Sequence, residues 1–147
     1  MLNRGKVGWY QMRSNNTIII GAGRLGGTIA RSLNDRSNVV IIDKNKDKIS
    51  KLQDYSGFVE VGDATDIQLL EKNGIKEADR FIAVTDDDNI NIFLADLCVN
   101  VYDVPEVFIK LKDSRKRKLV DSRVNCICPF DLSLDYFENE SGNEVNV

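Results

Sequence analysis

The sequence predicts an α/β fold, a single domain on a doubly wound parallel sheet of about six strands. Three observations carry that expectation. Short apolar and β-branched runs recur with starts 18 to 27 residues apart. The stretches between several of them space apolar residues as a helix does. The first run leads directly into Gly21-Ala22-Gly23-Arg24-Leu25-Gly26, a glycine turn placed where a strand gives way to a helix. Near-continuous apolar runs of four or five residues suit strands covered by helices on both faces, and right-handed crossovers then leave few topologies open.

In chain order, Thr17-Ile18-Ile19-Ile20 is the first strand, and Leu25, Ile29 and Leu33 form the inner face of the first helix. Val39-Val40-Ile41-Ile42 is the second strand, with Ile49 and Leu52 suggesting a helix at 45–54. Phe58-Val59-Glu60-Val61 is the third, followed by a helix at 66–73 carrying Leu69 and Leu70. Arg80-Phe81-Ile82-Ala83-Val84 is the fourth; Ile90, Phe93, Leu94, Leu97 and Val101 then mark the buried face of a helix over 88–101. Val107-Phe108-Ile109 and Asn125-Cys126-Ile127-Cys128 complete the sheet, with a shorter helix at 114–121 between them. Residues 1–15, with Trp9, Tyr10 and three basic residues, show no period and stand apart as an N-terminal arm. Residues 16–137 are expected to form the single α/β domain, which ends in a short helix around Leu132, Leu134, Tyr136 and Phe137. Residues 138–147 are expected to be a flexible acidic tail, since from Asp131 onward the chain has five acids and no base.

Composition narrows the function. With 42% hydrophobic and 29% charged residues the chain is ordinary for a folded domain, and its formal net charge of −3 gives no overall attraction for nucleic acid. No apolar run reaches the roughly 18 to 20 residues needed to cross a bilayer, so direct membrane insertion is not expected and a cytoplasmic location is. Cys98, Cys126 and Cys128 lack paired zinc spacing and there is no histidine, so reduced, small core side chains are the expectation. Cys126 and Cys128 on one strand would face the same way. The six bases within 110–118 read most simply as a solvated face, with an acidic partner as the alternative.

The chemistry gathers around the turn. Gly21 permits a tight bend, Gly23 admits a phosphate close to backbone amides, and Gly26 lets helix and strand pack closely. The helix N-terminus then presents unpaired N–H groups to an anion. Asp43, 22 residues after Gly21 at the end of the second strand, is placed to accept from ribose hydroxyls, and its charge disfavours a 2′-phosphate. NAD(H) or a simple adenosine phosphate is therefore expected over NADP(H), with the neighbouring Lys44 acting against that preference. Asp63, with Ala64 in the loop after the third strand, is a candidate for the adenine end, while Thr65 or Asp66 can equally cap the next helix. Thr85 is the favoured ligand contact at the far wall; Asp86 and Asn89 are divided between ligand and helix cap. Arg24 can reach distal phosphates. The absence of histidine and of any evident acid and base pairing favours binding over catalysis, and the chain is not read as an enzyme. A NAD-dependent oxidoreductase or its cofactor-binding domain is the alternative, and a methyltransferase binding S-adenosylmethionine a third reading.

Taken together, Gly21 to Gly26, Ile42-Asp43, Gly62-Asp63-Ala64-Thr65, Ala78-Asp79 and Thr85-Asp86-Asp87-Asp88-Asn89 resemble the N-terminal nucleotide-binding domain of the Trk/Ktr family, the RCK domains of potassium transport. The resemblance spans about residues 15–137. It implies a regulatory subunit, cytoplasmic and peripheral to the membrane through a partner, that binds NAD(H), ATP, ADP or AMP. It also implies a homodimer or larger ring that acts on a membrane potassium transporter or channel subunit through ligand-dependent dimer geometry. In the family pattern Asp43 holds ribose, Asp63 lies at the adenine and Arg24 meets distal phosphates. The fifth strand ends Ile109-Lys110 where the family often has an arginine, which puts Lys110 among the binding candidates. The family's second ligand-sensing lobe is not found in these 147 residues, so it is expected either to lie on another chain or to have been cut away.

Overall fold

The computed structural model describes residues 15–142. The expected N-terminal arm, apart from Asn15, and residues 143–147 of the expected tail lie outside them.

Six parallel strands form one sheet: β1 (Asn16–Ile20), β2 (Asn38–Asp43), β3 (Phe58–Val61), β4 (Arg80–Ala83), β5 (Glu106–Lys110) and β6 (Val124–Ile127), in the order β3-β2-β1-β4-β5-β6. The chain runs outward from β1 to β3, then crosses back to β4 on the other side of β1. The carboxyl ends of β1 and β4 thus border the crevice where an open α/β sheet binds ligands. Helices α1 (Arg24–Leu33) and α2 (Lys46–Ser50) accompany the first half. Helices α3 (Ile67–Lys72) and α4 (Asp88–Asn100) and a 3₁₀ turn at Ile75–Glu77 accompany the second, and α5 (Pro129–Ser141) follows β6.

Two apolar layers enclose the sheet. Ile19, Val39, Ile41 and Ile82 pack with Ala30 and the inner side chains Leu25, Ile29 and Leu33 of α1. On the opposite face Ile18, Ile20, Ile42 and Phe81 pack against Leu70 of α3 and Leu94, Leu97 and Cys98 of α4. Consecutive residues of β1 thus serve opposite layers, which is why its uninterrupted run of isoleucines is the right sequence for a central strand.

The structure alters several expectations. Helix α2 is five residues long: Asn45 caps it and Lys51 closes it, and the chain then reaches Asp54, whose φ of 56° cannot continue a helix. The stretch 114–121 is a 3₁₀ helix over Ser114–Leu119 that buries no residue, because its charged side chains offer the sheet no apolar face. The edge strand β3 exposes Phe58, Val59 and Val61 and so lacks the double cover expected of it. On α4 Leu94 and Leu97 are buried and Ile90 packs against the core as expected, while Phe93 and, just past the helix, Val101 are exposed; Asn91, Ala95 and Cys98 complete the buried face. Helix α5 runs 13 residues, so 138–141 are helical and not part of a tail; Gly142, with φ 75°, ends the helix in the left-handed conformation that glycine adopts without penalty. Cys98 and Cys128 are buried and Cys126 half-buried against the same core layer, with Cys128 just beyond β6 at the start of α5. Burial pushes the Cys98 thiol up to about 12. No helix among the described residues is long and apolar enough to cross a membrane.

Candidate functional site

A cleft of about 1000 Å³ opens at the carboxyl ends of the strands. The glycine turn forms its floor. Gly21 takes φ 110°, and a Cβ there would meet the Val84 carbonyl oxygen at 2.9 Å; a Cβ on Gly26 would lie 1.8 Å from the Gly21 carbonyl oxygen. The fold itself demands both glycines. Gly23 differs, since a Cβ on it would touch nothing within 4 Å although the residue lines the cleft. Packing does not require a glycine there, and what it leaves free is room beside the cleft floor.

Gly23 is also the N-cap of α1. It brings no side-chain cap, and the first turn of the helix carries no acid. The leading N–H groups of this ten-residue helix therefore keep their capacity to bind an anion, reinforced by the positive end of the helix dipole. Arg24 extends from the same turn, exposed, on the cleft wall.

Asp43 stands at the end of β2. Its Oδ2 accepts from the Ala22 amide at 2.8 Å and its Oδ1 from the Asn45 amide at 2.8 Å. Those two bonds fix the carboxylate between the glycine turn and α2, and each oxygen keeps a lone pair for a further donor such as a hydroxyl. Lys44 and Asn45 line the cleft beside it.

The loop after β3 contributes Gly62, Asp63 and Ala64. Asp63 Oδ1 accepts from the Thr65 amide and hydroxyl at 2.9 and 2.7 Å, and these bonds hold the carboxyl below its usual range. Asp66 is the residue that caps α3, accepting from the Gln68 amide, so the cap and the cleft-facing acid are separate residues.

The three adjacent acids after β4 divide their work. Asp87 caps α4 by accepting from the Asn89 and Ile90 amides. Asp88 is buried and accepts from the Lys112 and Asp113 amides, anchoring the loop after β5. Asp86 faces the cleft, where Lys110 at 3.2 Å and Lys48 at 3.5 Å hold its carboxyl below the usual range, Lys110 contributing most. Thr85 lines the same wall.

Of the expected site residues, Gly21, Gly23, Arg24, Leu25, Asp43, Lys44, Asp63, Ala64, Thr85, Asp86 and Lys110 border one cleft. Ala22 and Gly26 lie behind its floor, Ala22 engaged with Asp43 and Gly26 pressed on Gly21. Asn89 is not on the wall: it sits in the first turn of α4, and its Oδ1 accepts from Lys116. Thr28, Asn45, Ile90 and Pro129 also line the cleft without having been expected there, and two further residues that the sequence reading missed organise its charge and shape. Lys48 joins the wall from α2. Asn91, fully buried, accepts at Oδ1 from the Thr85 amide and hydroxyl and donates through Nδ2 to the Thr85 and Lys110 carbonyls, tying the end of β4 to that of β5. The available signal for Asn91 was its helical register with the small core residues Ala95 and Cys98.

Sheet order, glycine turn and acid together define a Rossmann-type domain with a cleft suited to a nucleotide. The chain belongs to the TrkA-N domain family, whose pattern it matches over residues 17–125. It is 37% identical over 106 residues to the Trk system potassium uptake protein TrkA homolog of Pyrococcus abyssi, covering 71% of this chain and 47% of that one. The chain spans about half the length of the curated relatives it matches. Among solved structures it resembles the GsuK channel, at 26% identity and a TM-score of 0.65 over 79% of this chain and 31% of that one. It also resembles GsuK bound to ADP, at 24% identity and a TM-score of 0.72 over 86% and 33% of the two chains; this second likeness is one of fold.

Proposed function

We propose that the chain is an adenine-nucleotide-binding regulatory module of a potassium uptake or channel system. The observation that carries this reading is the pairing of an uncapped α1 N-terminus beside the open space at Gly23 with the fixed Asp43 carboxylate. An anion site and a hydroxyl acceptor bordering one cleft, tied together through the Ala22 amide, suit a nucleotide's phosphate and ribose. Asp63 and Ala64 then flank the adenine, and Arg24 and Lys110 serve the phosphates. The curated relatives named for potassium uptake support the system assigned, and the chain's part in it is binding, not catalysis. The module acts as a homodimer, on the cytoplasmic side, held near the membrane by its transporter or channel partner. Nucleotides control that partner to the extent that they bind two dimer geometries unequally.

Calorimetric titration of the chain with ATP, ADP, AMP, NADH, NAD and NADP tests the reading. Nucleotides with a free 2′-hydroxyl bind, NADP binds at least about tenfold more weakly than NAD, and Asp43→Ala loses about tenfold or more for all that bind. NADP bound as tightly as NAD removes the role of Asp43, and no binding by any of the six removes the function proposed.

A further inference from the structure

Three charged side chains from separate elements meet over the cleft mouth. Asp86, in the loop after β4, places Oδ1 3.2 Å from Lys110 Nζ and Oδ2 3.5 Å from Lys48 Nζ. Lys48 stands on α2, directly after β2, and Lys110 ends β5. In the sheet, β1 and β4 lie between those two strands. At about 4.8 Å per strand those two strands run roughly 14 Å apart, a span that the lysine side chains close by reaching toward a partner between them. Asp86 is that partner, and the three side chains form a strap from the β2 side of the crevice to the β5 side, across the strand positions of β1 and β4. All three line the cleft.

The members differ in their access to water. The Asp86 side chain is 69% exposed, Lys48 41% and Lys110 15%. Asp86 can leave the strap and be solvated at little cost, since exposed ion pairs are weak. Lys110, largely withdrawn from water, needs an anionic partner whether Asp86 supplies it or not.

We propose that Asp86 stands in for a ligand phosphate, and that a nucleotide with phosphates beyond the first replaces it as the partner of Lys48 and Lys110. This inference rests on the nucleotide reading above and adds a selection rule to it. A monophosphate held at the α1 N-terminus carries no group to reach the strap. A triphosphate brings a terminal group with several oxygens and more charge than one carboxylate, able to pair with both lysines. Lys48 is then a ligand-reading residue, and the cleft discriminates by phosphate number.

The test is the ratio of ATP to AMP affinity, measured by calorimetry on the full chain for the wild type, Asp86→Asn, the double variant Lys48→Ala/Lys110→Ala, and the triple variant. Removing the internal competitor raises the ratio about five- to tenfold, and removing the lysines lowers it by a similar factor. In the lysine-free background Asp86→Asn has no effect on the ratio. Thermal unfolding checks each variant, and Lys48→Gln/Lys110→Gln replaces the alanine pair if that pair does not fold. A ratio unmoved by Asp86→Asn overturns the proposal. So does an equal rise with the lysines gone, which would make Asp86 a simple repelling charge. Absence of all nucleotide binding by the wild type defeats the nucleotide reading and this inference together, whereas AMP binding with an invariant ratio defeats the strap alone.

Discussion

Asn91 shows how one buried amide can set the geometry of a site it never faces. Its four hydrogen bonds reach both Thr85 and the Lys110 carbonyl, so two cleft residues from adjacent strands take their positions from one side chain on α4. Replacing it with leucine keeps the approximate volume but leaves the Thr85 amide and two carbonyls without this partner. Asn91→Leu is expected to cost about 2–4 kcal/mol, read as a lower urea midpoint with an unchanged slope. A midpoint equal to the wild type would show that the carbonyls and the amide find other partners. Asp43 was legible in the sequence because its place relative to Gly21 follows from one strand–turn–helix–strand unit, a local matter of chain length. Lys48 and Asn91 were not. The role of Lys48 depends on an acid 38 residues away in sequence that the sheet order brings opposite, and Asn91 is read as polar until its helix is seen to turn it inward.

At the scale of the element, the glycine turn separates what the fold needs from what a ligand needs. A Cβ at Gly26 would collide with the Gly21 carbonyl oxygen at 1.8 Å, a backbone atom that cannot move without opening the contact between α1 and β1. Gly26→Ala is therefore expected to destabilise the chain by about 3 kcal/mol or more, seen in denaturant melts. Gly23→Ala meets no atom, and its stability should stay within about 0.5 kcal/mol of the wild type while nucleotide affinity falls about tenfold or more. A Gly23→Ala variant that binds normally would mean that the open space is not where the phosphate lies. The strands were the most legible elements: each lies within two residues of its apolar run, since central parallel strands admit little but β-branched and apolar side chains. Helices α2 and α5 were misjudged in opposite directions. A cap and a left-handed Asp54 cut the first short, and the acid-rich sequence of the second concealed a continuous helix with exposed apolar side chains.

For the whole molecule, the exposure of that helix is the outstanding fact. Helix α5 buries none of its residues, and Phe130, Leu132, Leu134, Tyr136 and Phe137 are all exposed. Phe130, Leu134 and Phe137 share one side of the helix at i, i+4 and i+7, with Leu132 and Tyr136 on the other; that three-residue face is a contiguous apolar surface that a second copy of the chain can cover with the same surface in return. The chain should therefore run as a dimer or larger in size-exclusion chromatography with light scattering. Leu134→Lys with Phe137→Lys should shift it to monomer and remove any rise of melting temperature with protein concentration, while the monomer keeps its fold because neither residue supports the core. A monomeric wild type at about 50 μM, well above the micromolar Kd range of ordinary stable contacts, would remove the dimer from the proposed function. The helix also begins where the ligand would lie, since Pro129, its first residue, lines the cleft. If nucleotide and second copy both contact this helix, as proposed, linkage requires that whatever factor ATP imposes on the dimer constant, dimerisation imposes on ATP affinity. Titrating ATP into the wild type and into the lysine pair on α5 measures that factor directly. Equal affinities in the two would mean that α5 binds its partner without reporting on the cleft.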